Sequence, residues 1–156
     1  MILIIGVGNP LRGDDAVGWR VAERLPASDV GARVVACHAL TLEFAPVIAT
    51  AEVVIFVETC TAGTPGEVRC TRIQPAHRRT PPQHGETPVS LLTLASARYC
   101  GRPAAYVITI TAEQFGIGMP LSPAVADAVA QAVAVIEAFT AQVAGSRSPA
   151  LLKSTG

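Results

Sequence analysis

The chain has 156 residues, half of them hydrophobic, and a mean hydropathy of +0.42. One domain of this size hides roughly 70% of the surface its unfolded chain exposes, so a filled core is expected. Twelve basic and twelve acidic residues cancel, which removes the electrostatic support for non-specific binding to nucleic acid or to an anionic membrane.

Residues 1–5 carry the unbroken apolar run ILII, which suits a parallel strand covered on both faces. No basic segment or small-residue cleavage site precedes it, so no signal peptide is expected. No apolar run is expected to approach the ~20 residues that cross a bilayer. A glycine-rich turn follows, and then residues 14–25, where Val17, Val21 and Leu25 recur at helical spacing and Pro26 stops the pattern. Residues 33–36 (RVVA) predict a second strand. A helix is predicted within 41–51, its start left open by Pro46.

Residues 53–57 (VVIFV) predict the third strand. Residues 67–73 alternate behind Thr64, Pro65 and Gly66, which reads as an edge strand or hairpin arm. The stretch QPAHRRTPPQHGE, residues 74–86, has three prolines and no periodicity and is predicted to be a loop. A helix over 87–99 is opened by Pro88 and closed by Gly101. Residues 105–110 (AYVITI) form another buried strand. Ser122 and Pro123 then begin a helix, as N-cap and first position, that runs to about residue 143. One domain over 1–144 with a flexible tail over 145–156 is the expected organisation. The basic cluster Arg69, Arg72, Arg78 and Arg79 is either a solvated edge or a docking surface for a protein tail. Cys37, Cys60, Cys70 and Cys100 form no CxxC pair, so they read as reduced thiols of a cytoplasmic protein.

Strands alternating with helices imply right-handed crossovers and a mostly parallel sheet with helices on both faces. Ligands in such sheets lie beyond the carboxyl ends of the strands. The stretch GVGNPLRGDDAVG, residues 6–18, occupies that place after the first strand. It fails as a dinucleotide fingerprint: Leu11 stands where the third glycine belongs, and Cys37 and His38 stand where an acidic ribose partner belongs. No Walker lysine is present. Asp14 is placed to cap its own helix. Asp15, about 100° further around, is then the carboxylate free to face the cleft.

The same end of the sheet collects His38 after strand two, Glu58 after strand three and His84 before the next helix. An acidic residue directly after VVIFV is unusual in a chain still leaving its core, although a capped turn would also accommodate it. His84 could equally be an exposed loop imidazole. Asp15, Glu58 and His84 together suit a borderline divalent metal with open coordination positions. Without an HExxH helix, a permanent catalytic zinc is not indicated.

With these residues in place, GVGNPLRGDDAVG resembles the signature of the hydrogenase maturation endopeptidases. These proteases trim the large subunit of nickel-iron hydrogenases. The likeness extends over roughly residues 1–143. It takes in Glu58, the turn of Thr64, Pro65, Gly66 and Glu67, then His84, and the helix start at Leu121, Ser122 and Pro123. It implies a three-layer α/β/α sandwich around a mostly parallel, twisted sheet of about five strands.

It also implies a monomeric cytoplasmic enzyme that removes a C-terminal peptide once nickel is in place. Asp15, Glu58 and His84 would engage a nickel supplied by the substrate, with no permanent cofactor. Asp15 or Glu58 would serve as general base in the hydrolysis, the choice being open. Two features depart from the family pattern: Glu58 stands where Asp is frequent, and His38 and Ala39 stand where many relatives have Asp-Gly. Two other readings remain. One is a cysteine hydrolase using Cys60 or Cys37 with His84 or His38. The other is a non-catalytic nickel-binding chaperone of hydrogenase assembly.

Overall fold

The structure is a computed structural model and describes residues 1–26, 32–78 and 84–147. In chain order the elements are β1 (Ile2–Val7), a 3-10 turn (Gly13–Ala16), α1 (Val17–Arg24), β2 (Ala32–Cys37), α2 (Phe44–Thr50), β3 (Val53–Cys60), β4 (Val68–Ile73), α3 (Pro88–Tyr99), β5 (Ala104–Thr111) and α4 (Pro123–Arg147). The sheet order is β2-β1-β3-β5-β4. The first four strands in that order run parallel, and β4 lies antiparallel on the β5 edge, Val68 opposite Ile110. The α/β layers and the edge position of the 67–73 segment are as the sequence predicts.

Because successive strand residues face opposite sides, each central strand feeds two cores. Ile2, Ile4, Ile55, Ile108 and Ile110 pack under α1 and α4 against Val17, Val21, Val125, Val129 and Ile136. Leu3, Ile5, Val54, Phe56 and Val107 pack under α2 and α3 against Ile48, Leu91 and Leu92. Each such buried side chain contributes about 1.5–3 kcal/mol. This is why strands apolar on both faces occupy the centre of the sheet. Helix α1 crosses the sheet closely: a Cβ on Gly18 would lie 2.3 Å from the Val7 carbonyl oxygen and 2.4 Å from that of Val57. The absent side chain lets the start of α1 rest on the carboxyl ends of β1 and β3.

Three local expectations are corrected. Strand β3 runs to Cys60, so Glu58 and Thr59 belong to the strand and not to the loop after it. Helix α3 is closed by Cys100, left-handed at φ 56°, and not by Gly101. Gly101 meets a different demand, since a Cβ there would lie 2.3 Å from the Ala49 Cα on α2. Helix α4 continues to Arg147, so Gly145 and Ser146 are helical; the rest of the expected tail, 148–156, lies outside the described residues.

The expectation about apolar runs also changes. Within α4, Pro123–Ser146 spans 24 residues with a mean hydropathy of 1.5 in its most apolar stretch, long and apolar enough to cross a membrane. Val125, Ala128, Val129, Ala132 and Ile136 nevertheless form a helical stripe buried on the sheet. Alanine and valine on the remaining faces raise the hydropathy, and a core helix of this composition meets the same criterion.

Candidate functional site

The turn after β1 is shaped around Asp15. Gly8 holds φ 148°, and a Cβ there would lie 1.8 Å from the Asp15 carbonyl oxygen, so only glycine fits. The Gly8 N–H donates to the Cys37 carbonyl at 3.0 Å, tying the turn to the end of β2. Asn9 Oδ1 accepts from the Leu11 N–H at 2.9 Å, an Asx turn that folds the backbone back. The Asn9 N–H then donates to Asp15 Oδ2 at 2.9 Å. From β3, Thr59 Oγ1 donates to Asp15 Oδ1 at 3.4 Å. Asp15 is thus oriented across the carboxyl ends of β1 and β3. Two of its roughly four lone-pair positions are engaged, leaving the others for a ligand.

Asp14 does not cap its own helix. The 3-10 turn and α1 both begin without a side-chain cap. The Asp14 side chain is 0% exposed and crosses to the β5–α4 connection. There it accepts from the N–H groups of Glu113 (2.8 Å), Gln114 (2.9 Å) and Ser122 (2.6 Å) and from the Ser122 hydroxyl (2.8 Å). The Asp14 N–H in turn donates to the Gln114 carbonyl at 2.9 Å. Burial alone would raise this carboxyl, but the bonds from Ser122, Glu113 and Gln114 outweigh it and hold the carboxyl below its usual value. Ser122 does stand directly before α4 and Pro123 opens it, yet the Ser122 hydroxyl serves Asp14. Asp14 is structural, as expected, through a partner far along the chain.

Glu58 is half-buried near the end of β3, opposite Thr109 in register. Strand alternation places it with Phe56 on the α2–α3 side, whereas Thr59 follows Val57 to the α1–α4 side where Asp15 lies. Burial pushes the Glu58 carboxyl above its ordinary value. Among the described residues nothing hydrogen-bonds or ion-pairs with it. His84 is exposed three residues ahead of Thr87, where the α3 capping segment begins. In that segment the Ser90 N–H donates to Thr87 Oγ1 at 3.1 Å and the Thr87 N–H to Ser90 Oγ at 2.8 Å.

Asp15 and Glu58 therefore lie at the same strand ends on opposite faces of β3, and His84 stands in the segment ahead of α3. Among the described residues, no three His, Cys, Asp or Glu side chains stand close enough together to hold one ion. His38 is exposed and meets Trp19 edge-on, ring centroids 5.1 Å apart. All four cysteines are free. Burial pushes the Cys37 thiol up to about 11, so it is protonated at neutral pH. The Cys60 sulfur lies 3.5 Å from the Ala62 carbonyl and 3.4 Å from Thr111 Oγ1. Among the described residues no imidazole hydrogen-bonds a thiol.

Two features of the rim escape the sequence reading. Thr59 orients Asp15; its only sequence signal is its place beside Glu58. Leu11 (67% exposed), Ile117 (85%) and Met119 (46%) form an apolar edge beside the Asp15 turn, where the Gly118 N–H donates to the Leu11 carbonyl at 2.8 Å. They stand in loops, where no periodicity marks an exposed apolar residue as unusual.

No protein-family model and no curated protein matches the chain by sequence. Solved structures do match its fold. The [NiFe] hydrogenase maturation protease HycI from Thermococcus kodakarensis aligns over 90% of this chain and 92% of its own, with a TM-score of 0.73 and 21% identity. The hydrogenase maturating endopeptidase HybD from E. coli aligns over 91% and 93%, with a TM-score of 0.69 and 21% identity. The hydrogenase 2 maturation peptidase from a Thaumarchaeota archaeon aligns over 88% and 97%, with a TM-score of 0.65 and 23% identity. Across almost the whole of both chains, the α/β architecture is shared with these proteins.

Proposed function

We propose that this chain is a maturation endopeptidase that removes a C-terminal peptide from the nickel-loaded precursor of a nickel-iron hydrogenase large subunit. The observation that carries the reading is the coincidence of two things. The fold matches proteins named as hydrogenase maturation proteases over about nine-tenths of both chains, and the carboxylates Asp15 and Glu58 stand at the ligand-binding end of that sheet.

Nickel is part of the substrate in this reading. Asp15, already aimed by Asn9 and Thr59, and Glu58, without a partner among the described residues, engage the ion from the two sides of β3. His84 joins them from its exposed position as the precursor docks. Hydrolysis of the scissile amide requires an attacking water and a group to take its proton, the role assigned to one of the two carboxylates. The enzyme acts as a monomer, and in the cytoplasm, a reducing compartment that suits four free thiols.

The cysteine-hydrolase alternative gains no support from thiols without an imidazole among the described residues. A metal-binding chaperone would hold the precursor without shortening it. Purified protein mixed with nickel-loaded precursor should release a C-terminal fragment, seen as a mass loss. Metal-free precursor should stay intact, and Asp15→Asn should lose the activity while keeping its circular dichroism spectrum. Equal trimming of the metal-free precursor would refute metal sensing, and full activity in the Asp15→Asn protein would remove Asp15 from the site.

A further inference from the structure

At the other end of the sheet from Asp15, a groove of about 690 Å³ opens between the end of β4, the start of β5 and α3. That volume is within the ~300–1,000 Å³ typical of ligand sites. Its floor is apolar, with Leu92 and Ala105 buried and Ile73 packed against the same core. One wall is pinned: the Ala76 N–H donates at 2.9 Å to Thr93 Oγ1, whose hydroxyl donates to the Val89 carbonyl at 2.7 Å. Strand β4 is the outermost strand and, among the described residues, pairs only with β5. Among those residues its outer backbone groups remain open to an added strand.

The charge is one-sided. Arg72, His77 and Arg102 border the groove, and no Asp or Glu lines it among the described residues. Arg20 and Arg69 are tied to Glu23 and Glu67, whereas among the described residues no carboxylate pairs with Arg72, Arg78 or Arg102. The basic cluster seen in the sequence is thereby divided. Arg69 is paired with Glu67, Arg72 borders the groove without a carboxylate partner among the described residues, and Arg79 lies outside the described residues.

We propose that this groove docks an extended acidic peptide segment of a partner protein. The segment lies along β4, with apolar side chains on the Leu92–Ala105 floor and carboxylates toward Arg102, His77 and Arg72. The unpaired cations specify the sign of the ligand. The apolar floor and the open strand edge specify an extended peptide over a nucleic acid, which a protein of zero net charge has no broader field to hold. The proposal does not rest on the chemistry at the Asp15 end, and loss of precursor processing would leave it intact.

The test is fluorescence anisotropy with a short labelled peptide of alternating Glu and Leu. The wild-type protein should bind it, more weakly as salt rises, and Arg102→Glu should weaken binding at least about tenfold. Arg33→Glu, on β2 at the far edge of the sheet, should bind as the wild type does. Amide shifts on titration should fall on β4 and residues 101–105. Unchanged affinity in a folded Arg102→Glu protein would overturn the proposal. So would equal binding of the peptide with Lys in place of Glu, or displacement by a single-stranded oligonucleotide at lower concentration than by unlabelled peptide.

Discussion

Two adjacent carboxylates, Asp14 and Asp15, share a turn and have opposite surroundings. Asp14 is sealed from solvent and accepts four hydrogen bonds; Asp15 is half-exposed and accepts two. The Asp14 carboxyl is held below its usual value, so its stabilisation is present above the unfolded pKa of about 3.9. It is lost as pH falls through the folded value. Asp14→Asn leaves at least one buried N–H facing an amide NH₂, and should cost about 3 kcal/mol or more in urea unfolding at pH 7.

Glu58 has the opposite sign. Its folded pKa is raised by burial, so the protonated form is favoured on folding, and that contribution is lost as pH rises through the folded value. Glu58→Gln should therefore raise the melting temperature at pH 7 and leave it unchanged near pH 3, where both side chains are neutral. Calorimetry at the two pH values separates these outcomes. The sequence singles out Asp15 and Glu58 as candidates from the polar positions that end apolar runs, and the structure sets both near the carboxyl ends of strands. The sequence could not show Asp14's partners, because a donor about 100 residues away leaves no periodic trace.

The elements meet through specific small residues and caps. Ser122 joins α4 to Asp14 through both its N–H and its hydroxyl. Ser122→Ala keeps the N–H bond and should cost about 1.5 kcal/mol, with faster hydrogen exchange at the Glu113 and Gln114 amides. Gly18→Ala would force a Cβ against the Val7 and Val57 carbonyl oxygens. It should lift α1 from the sheet and cost about 3 kcal/mol or more, as seen by thermal unfolding. Element type was legible because helix and strand periodicities are properties of neighbouring residues. Boundaries were less so: β3 gained Glu58 to Cys60 from pairing with Glu58's opposite Thr109 and the two residues after it, and Cys100 took the left-handed cap that Gly101 was expected to supply.

As a whole the molecule is two cores divided by one sheet. Leu91→Ala under α3 and Ile136→Ala under α4 should each cost about 3 kcal/mol. Their effects should add to within about 0.5 kcal/mol, because the two side chains share no contact across the sheet. A urea-measured coupling well above that would show that the layers rearrange together. The two proposed sites are separated along the strands instead: the carboxyl ends of β1 and β3 bear Asp15 and Glu58, while the basic groove lies at the other end, beside β4.

By itself, the sequence determined the alternating α/β order, the apolar strands of the sheet centre and the turn that presents Asp15, since all three depend on side chains within a few residues of one another. Tertiary structure alone decided that Asp14 anchors α4, that Thr59 aims Asp15, that Glu58 lies on the other face of β3 from Asp15, and that arginines without a carboxylate partner among the described residues border an apolar groove. Those outcomes depend on which distant segments share a site once the cores are packed, and on which polar groups burial then obliges to find a partner.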